Sequence, residues 1–347
     1  VNSKPKNIIV KMPNWIGDAV MATPILKDLK DYYSDAKLTA MCQANVASLL
    51  ECNPYINEIL SYSKPSGWMH RAWHKDIISP LQRGDYDLGV LLTNSLSSAY
   101  WFWKGKVKNI VGYSKGVRRF LLNQALPFPK EIDKQHLILT YKNLLTVLGI
   151  PISSTQPQLY LNESEKAFAK NFLKRRGIEK NNIVVGINPG AAYGSAKCWL
   201  PERFREVALK LLERQNVFIL FFGDQNGASL VEKICRDLPD RVLNIAGKTN
   251  LRELMALINA CSLFLTNDSG PMHIASAFQV PLLSLFGSTD EIKTGPYHHE
   301  KVIHKHVPCS PCFLRKCPKK DFPCMESIEV EEVYRELMVI LNKVYKA

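Results

Sequence analysis

Short apolar runs recur along the chain, each closed by a small or polar residue and followed by apolar positions at helical spacing. Residues 7–12 (NIIVKM), 37–42, 56–60, 87–93 (DLGVLLT) and 109–113 read as one series of strands. Helical spacing through Val20, Leu26 and Leu29, and over 46–50, 71–83 and 135–148, supplies the crossovers. Gly149 and Pro151 stop the last of these helices. The pattern then restarts. Strands are predicted at 183–188 (IVVGIN), 217–222, near Val242, at 262–266 (SLFLT) and at 281–286, with helices at 201–214, 228–237, 251–260, after Pro271 and at 329–345. Strands alternating with helices predict parallel sheets covered on both faces. Two such series in 347 residues predict two doubly wound domains, bounded at 1–165 and 166–328, with a cleft between them.

Composition narrows the class. Apolar content of 46% and charged content of 22% suit a water-soluble globular chain, and no apolar run reaches the ~18–20 residues of a membrane span. Lys11 interrupts the first apolar run and Asp18 follows soon after, so the opening residues do not read as a signal peptide, and a cytoplasmic location is expected. The net charge is +13, and residues 1–160 hold 19 Lys+Arg against 11 Asp+Glu. Such a surface suits nucleic acid, an anionic membrane or an acidic substrate. Of nine cysteines, Cys42, Cys52, Cys198, Cys235 and Cys261 are scattered and read as small hydrophobes.

Four turns could carry chemistry. The turn 13–18 (PNWIGD) follows the first strand and leads into a helix, where Asp18 is either a charge favourable to the helix dipole or a general base. Residues 188–199 (NPGAAYGSAKCW) follow the first strand of the second series; loop amides plus Lys197 suit a diphosphate, although no Walker sequence is present. Gly223-Asp224 closes the next strand as a plain turn or as an acceptor for nucleoside hydroxyl or amino groups. Residues 265–277 (LTNDSGPMHIASA) join a strand to a helix through Asp268, Ser269 and Gly270. Asp268 or Ser269 is a suitable N-cap and Pro271 is tolerated in the first turn. The exposed N–H groups there, with His273 close by, form either a well-capped helix or an anion site.

Two further clusters stand apart. Cys309, Cys312, Cys317 and Cys324 suit structural zinc, a disulfide or free thiols. Aromatic and basic residues interleave over 100–119, with Lys104, Lys106, Lys108, Lys115, Arg118 and Arg119, and again at Trp68, His70, Arg71, Trp73 and His74. Such surfaces suit phosphorylated sugars, single strands or a membrane interface, or are a solvated basic face over core aromatics.

Taken together, NWIGDAVMATP at 14–24, NPGAAYGSAKCWLPERF at 188–204, LTNDSGPMHIASA at 265–277, LFGSTD at 285–290, TGP at 294–296 and CSPCFLRKCP at 309–318 resemble the lipopolysaccharide heptosyltransferases, most of all their heptosyltransferase II branch. The blocks occur in order over nearly the whole chain. The resemblance implies an α/β fold of GT-B type, two Rossmann-like doubly wound parallel-sheet domains facing a cleft, with helix 329–347 crossing back to the first. It implies an inverting transfer of heptose from ADP-heptose to a heptosyl-Kdo-lipid A acceptor, with Asp18 as base. Donor contacts would come from Ala192, Tyr193, Lys197, Asp224, Asp268, Ser269, Gly270 and His273, and acceptor contacts from Lys115, Arg118 and Arg119. No cofactor is then required, and structural zinc at the four late cysteines stays open. The implied partners are the nucleotide sugar, the lipid-linked anionic acceptor and the cytoplasmic face of the inner membrane, with no nucleic acid. Another nucleotide-sugar donor, an epimerase of similar architecture, or a basic membrane or nucleic-acid binder are the rival readings.

Overall fold

The computed structural model describes residues 4–63, 73–128, 134–297 and 301–346. It divides into two units, 1–160 and 161–347, each built on one six-stranded parallel sheet. In the first unit β1 (Asn7–Lys11), β2 (Lys37–Gln43), β3 (Glu58–Tyr62), β4 (Leu88–Leu91), β5 (Asn109–Tyr113) and β6 (Gln124–Leu126) run in the order β3-β2-β1-β4-β5-β6. In the second, β7 (Ile183–Asn188), β8 (Val217–Phe221), β9 (Val242–Asn244), β10 (Leu263–Asn267), β11 (Leu282–Phe286) and β12 (Lys301–His304) run β12-β11-β10-β7-β8-β9. Counted within its own unit, each sheet has the same order. The chain direction across each sheet reverses between β1 and β4, and between β7 and β10, and such switch points are where open α/β sheets bind ligands.

The central strands form because they are apolar on both faces: all six residues of β7 and all five of β10 and β11 are buried. The edge strands β6 and β12 are short and partly exposed, so they carry no such run and the hydrophobic pattern misses them. It also misses the helix Glu163–Lys174, although Asn162 and Glu165 form a capping box at its start. Glu165 further takes a two-pronged bond from Arg252, both contacts at 2.6 Å, which fastens this helix to Leu251–Asn259. The second unit opens just ahead of that box, between Tyr160 and Leu161, rather than at 165.

The single helix expected after Gly17 is two helices, Ile16–Met21 and Thr23–Tyr32. Pro24 has no N–H to offer the Val20 carbonyl, and the Thr23 hydroxyl donates to it instead at 2.8 Å. The final helix, Val330–Lys346, buries Val333, Leu337 and Leu341 in the core of the second unit. Trp199 Nε1 donates to the Ile328 carbonyl at 3.1 Å just before it. Among the described residues no helix is long and apolar enough to cross a membrane.

Candidate active site

At the first switch point, the loops after β1 and β4 border a cavity of about 370 Å³. Pro13, Asn14, Trp15 and Asp18 line it together with Thr93, Asn94, Ser95 and Thr140, and Tyr113, Phe128 and Tyr141 add aromatic faces. Asp18 lies half-buried in the first turn of Ile16–Met21, where the helix dipole favours a carboxylate. Burial, and then the charge of Asp18, push the Tyr141 phenol well above its ordinary range, so it stays a hydrogen-bond donor. Tyr113 stacks on Phe128 with centroids 4.8 Å apart and donates its hydroxyl to the Thr140 carbonyl.

Two buried cations bond residues that line this cavity. Lys11, 1% exposed, donates to the Met12 carbonyl at 2.7 Å and to Asn14 Oδ1 at 3.2 Å, and burial lowers its pKa to about 8. Arg118 is also 1% exposed, which corrects the expectation that it shares an open basic face with Lys115 and Arg119. Residues 116–121 form a 3-10 turn, and its three-residue period sends neighbours to different faces. Arg118 therefore turns inward and donates to Asn94 Oδ1 and the Tyr113 carbonyl, both at 3.1 Å, while burial lowers its pKa to about 10. Lys115 and Arg119 are exposed.

The rest of the basic-aromatic stretch divides in the same way. Trp101 and Phe102 enter the core, where Trp101 meets Tyr62 and Trp73 edge-on. Lys108 is taken by Asp85 and Asp87 at 3.1 and 3.0 Å. Trp68, His70 and Arg71 lie outside the described residues.

At the second switch point, the loop after β7 and the turn after β10 are stitched together. Asn267 donates to the Pro189 carbonyl at 2.7 Å and accepts from the Trp199 N–H at 3.0 Å, clamping the loop that carries Lys197. Asn188 donates to the Gly190 carbonyl at 2.9 Å and to Ser269 Oγ at 3.1 Å. Lys197 Nζ meets Asp268 Oδ2 at 2.5 Å, and the Thr289 hydroxyl donates to the same oxygen at 2.6 Å. Ser269 is the N-cap of Gly270–Ala277, yet its hydroxyl makes no cap bond; it is engaged by Asn188 and Thr266. Pro271 has no N–H and the Met272 N–H bonds the Ser269 carbonyl at 3.2 Å, so at the start of this helix it is the Gly270 N–H that is left to a ligand or solvent. His273 of the same helix is buried at 6% exposure.

The remaining donor candidates sit differently. Tyr193 has Lys197 Nζ 4.9 Å and Arg315 5.2 Å from its ring centre, and its hydroxyl donates to the Phe313 carbonyl at 2.8 Å. Gly194, with φ of 157°, lets this loop touch the Arg315 backbone; a Cβ there would fall 2.2 Å from the Arg315 carbonyl oxygen. Ala192 is exposed. Asp224 is exposed as well, and its carboxylate accepts the Gly227 N–H at 2.8 Å, as a turn requires.

The motifs alone did not single out Asn188, Asn267, Thr289 or Tyr141. One signal was present: an Asn closes each of two apolar runs, and pairing of β7 with β10 sets those ends side by side. The four late cysteines are free thiols, and no three of them come within 4.8 Å of one another. Burial, then the neighbouring thiols, raise the Cys324 pKa to about 11.

The model of Glycosyltransferase family 9 (heptosyltransferase) matches residues 75–322. Over 340 residues the chain is 26% identical to lipooligosaccharide heptosyltransferase 2 of Campylobacter jejuni, covering 96% of this chain and 98% of that one. Over 302 residues it is 28% identical to lipopolysaccharide heptosyltransferase 2 of Escherichia coli, covering 84% and 86%. The solved structure of E. coli ADP-heptose LPS heptosyltransferase II matches with a TM-score of 0.82 at 26% identity, over 98% of this chain and 100% of that one. The expectation of a GT-B fold with two Rossmann-like domains holds, and the chain belongs to glycosyltransferase family 9, the heptosyltransferases.

Proposed function

We propose that this glycosyltransferase moves L-glycero-D-manno-heptose from ADP-heptose to a heptosyl-Kdo-lipid A acceptor of the lipopolysaccharide inner core, with inversion. The observation that carries the reading is the Asp18 carboxylate on the wall of an aromatic-lined cavity at a sheet switch point. Aromatic faces suit a sugar, and a carboxylate at their edge suits a base. Asp18 would take the proton of the acceptor hydroxyl as its oxygen attacks the anomeric carbon. The bond to the ADP β-phosphate oxygen breaks as the new glycosidic bond forms.

The donor would sit on the second unit. Charge growing on departing ADP would be met by Lys197, the Gly270 N–H and the dipole of the helix behind it, with His273 as a further donor. Asp268, itself held by Thr289, would keep Lys197 aimed while the site is empty. Ala192 and Tyr193 would flank the nucleotide, and Asp224 would meet its ribose or adenine.

The acceptor is lipid-linked, and the turn 116–121 supports a membrane-facing role. Val117, between the exposed Lys115 and Arg119, is 67% exposed, and Phe120, next after Arg119, is 81% exposed. Apolar tips beside cations suit an anionic bilayer surface, which we assign to the cytoplasmic face of the inner membrane. Incubation with ADP-heptose and heptosyl-Kdo-lipid A should release ADP and raise the acceptor mass by one heptose. No mass gain, or a higher kcat/KM with another nucleotide sugar, would replace this reading.

A further inference from the structure

Glu291, His304 and His306 lie outside the residues assigned to donor or acceptor. One ligand atom from each, a carboxylate oxygen and two imidazole nitrogens, lies within 4.8 Å of the other two. Glu291 opens the short helix Glu291–Thr294, and the preceding Asp290 already caps it by accepting the Ile292 N–H at 2.9 Å. The Glu291 carboxylate is therefore not needed as the cap. One of its oxygens meets His304 Nδ1, and the other lies 3.2 Å from His306 Nε2. The two rings are 4.2 Å apart, because the left-handed turn at His306 (φ 44°) brings it back over His304. Nearby cations are already paired, Lys305 with Glu332 and Lys301 with Glu336.

Hydrogen-bond accounting settles the His304 tautomer. The Ser310 hydroxyl bonds to the Gly287 carbonyl, which can only accept, so the serine proton is committed there. His304 Nε2, 2.7 Å from Ser310 Oγ, must then donate. In a neutral ring that leaves the Nδ1 lone pair facing a carboxylate, in a side chain only 2% exposed. Two acceptors face to face require a cation between them, either a second proton or a metal ion.

We propose that Glu291, His304 and His306 bind a divalent transition-metal ion of the zinc class, through the Glu291 carboxylate, His304 Nδ1 and His306 Nε2, with solvent in the open position. Two imidazoles and a carboxylate are a ligand set that zinc accepts. The Ser310–Gly287 chain is the outer-sphere partner that fixes a ligating histidine, and the 65% exposure of His306 provides the entry path. The ion pins the end of β12 and the following loop to the helix at 291. That loop carries Phe313 and Arg315, which hold Tyr193, so the role is to stiffen a wall near Lys197 rather than to enter the reaction.

Titration of the full chain with Co²⁺ tests this. The expected result is one bound ion per chain with weak visible bands and no thiolate charge-transfer band. His306→Ala and Glu291→Gln should each weaken binding by more than the ~10–100-fold expected on loss of an outer-sphere partner, as in Ser310→Ala. His306 is exposed, so its variant should melt as the parent does and isolate the ligand effect. A Cys309→Ser/Cys312→Ser double variant should bind as the parent does. Absence of Co²⁺ and Zn²⁺ binding would assign the bridging cation as a proton and overturn the proposal. A thiolate band lost in the double variant would overturn it in favour of the cysteines.

Discussion

The two switch points share one strand order and differ in nearly everything else. The first borders an open cavity with aromatic walls and a single carboxylate, while its cations, Lys11 and Arg118, are buried behind the surface. The second is drawn tight by Asn188 and Asn267, and it keeps its cation, Lys197, at the helix start beside Asp268. The difference follows from what each must hold. A sugar hydroxyl needs shape, stacking and a base, whereas a diphosphate needs fixed positive charge that does not reorganise when negative charge appears. Topology places a site, and the side chains at the strand ends decide its chemistry.

The sharpest way to break this contrast is Asp18→Asn. The substitution keeps size and the ability to sit in a helix first turn, and it removes the base. Turnover should fall by about 10²–10⁴, with ADP affinity and melting temperature nearly unchanged. Turnover near that of the parent would remove the base from the first switch point. The counterpart at the second site is Lys197→Ala, which should weaken ADP binding by about 1.5–3 kcal/mol by calorimetry. It also leaves Asp268, whose side chain is 4% exposed, without its cation, so melting should fall too. Asp268→Asn in the same background should restore melting but not ADP affinity. Recovery of both would reduce Lys197 to a structural partner of Asp268.

Much of this comparison was legible in the hydrophobic pattern, because each central strand is a short apolar run ended by the turn that matters. Asp18, Lys197 and the stretch 268–273 all fall at strand ends for that reason. The asparagines were not, because an Asn after an apolar run reads as loop until a strand some eighty residues away is known to lie beside it. Arg118 was not, because adjacent arginines look alike until the three-residue period of a 3-10 turn separates them. Glu291, His304 and His306 share no spacing that marks a ligand set; an edge strand and a short helix bring them together. Half-buried edges such as β6 and β12 carry too few apolar residues to show any period.

Lys11 gives a pH signature that belongs to the first switch point alone. Burial lowers its pKa from 10.5 to about 8, so between those values the unfolded chain holds more protons and stability rises with pH. Burial also raises Cys42 from 9.0 to about 11, and above pH 9 that group makes stability fall. The clean window is therefore pH 8–9, over which the Lys11 contribution is on the order of 1 kcal/mol. Denaturant unfolding of Lys11→Met should lose that rise relative to the parent. Parallel pH profiles for the two proteins would show that the Lys11 ammonium is not paying a burial penalty.

The smallest effects belong to the basic turn, and they separate its two arginines. Arg119 is exposed, so Arg119→Ala should raise the acceptor KM about fivefold, the equivalent of ~1 kcal/mol for one basic residue at an anionic surface. The donor KM should not move. Arg118 has Nε and Nη2 buried without a hydrogen-bond partner among the described residues, and only Nη1 is used, toward Asn94 and Tyr113. Replacing a buried charge with an apolar side chain of similar length is often neutral or stabilising. Arg118→Met should therefore leave acceptor KM within about twofold and melting unchanged or higher. If Arg118→Met instead raises the acceptor KM more than Arg119→Ala does, the guanidinium reaches an acceptor anion through the cavity wall. The first switch point would then use fixed positive charge as the second does, and the contrast between them would be one of degree.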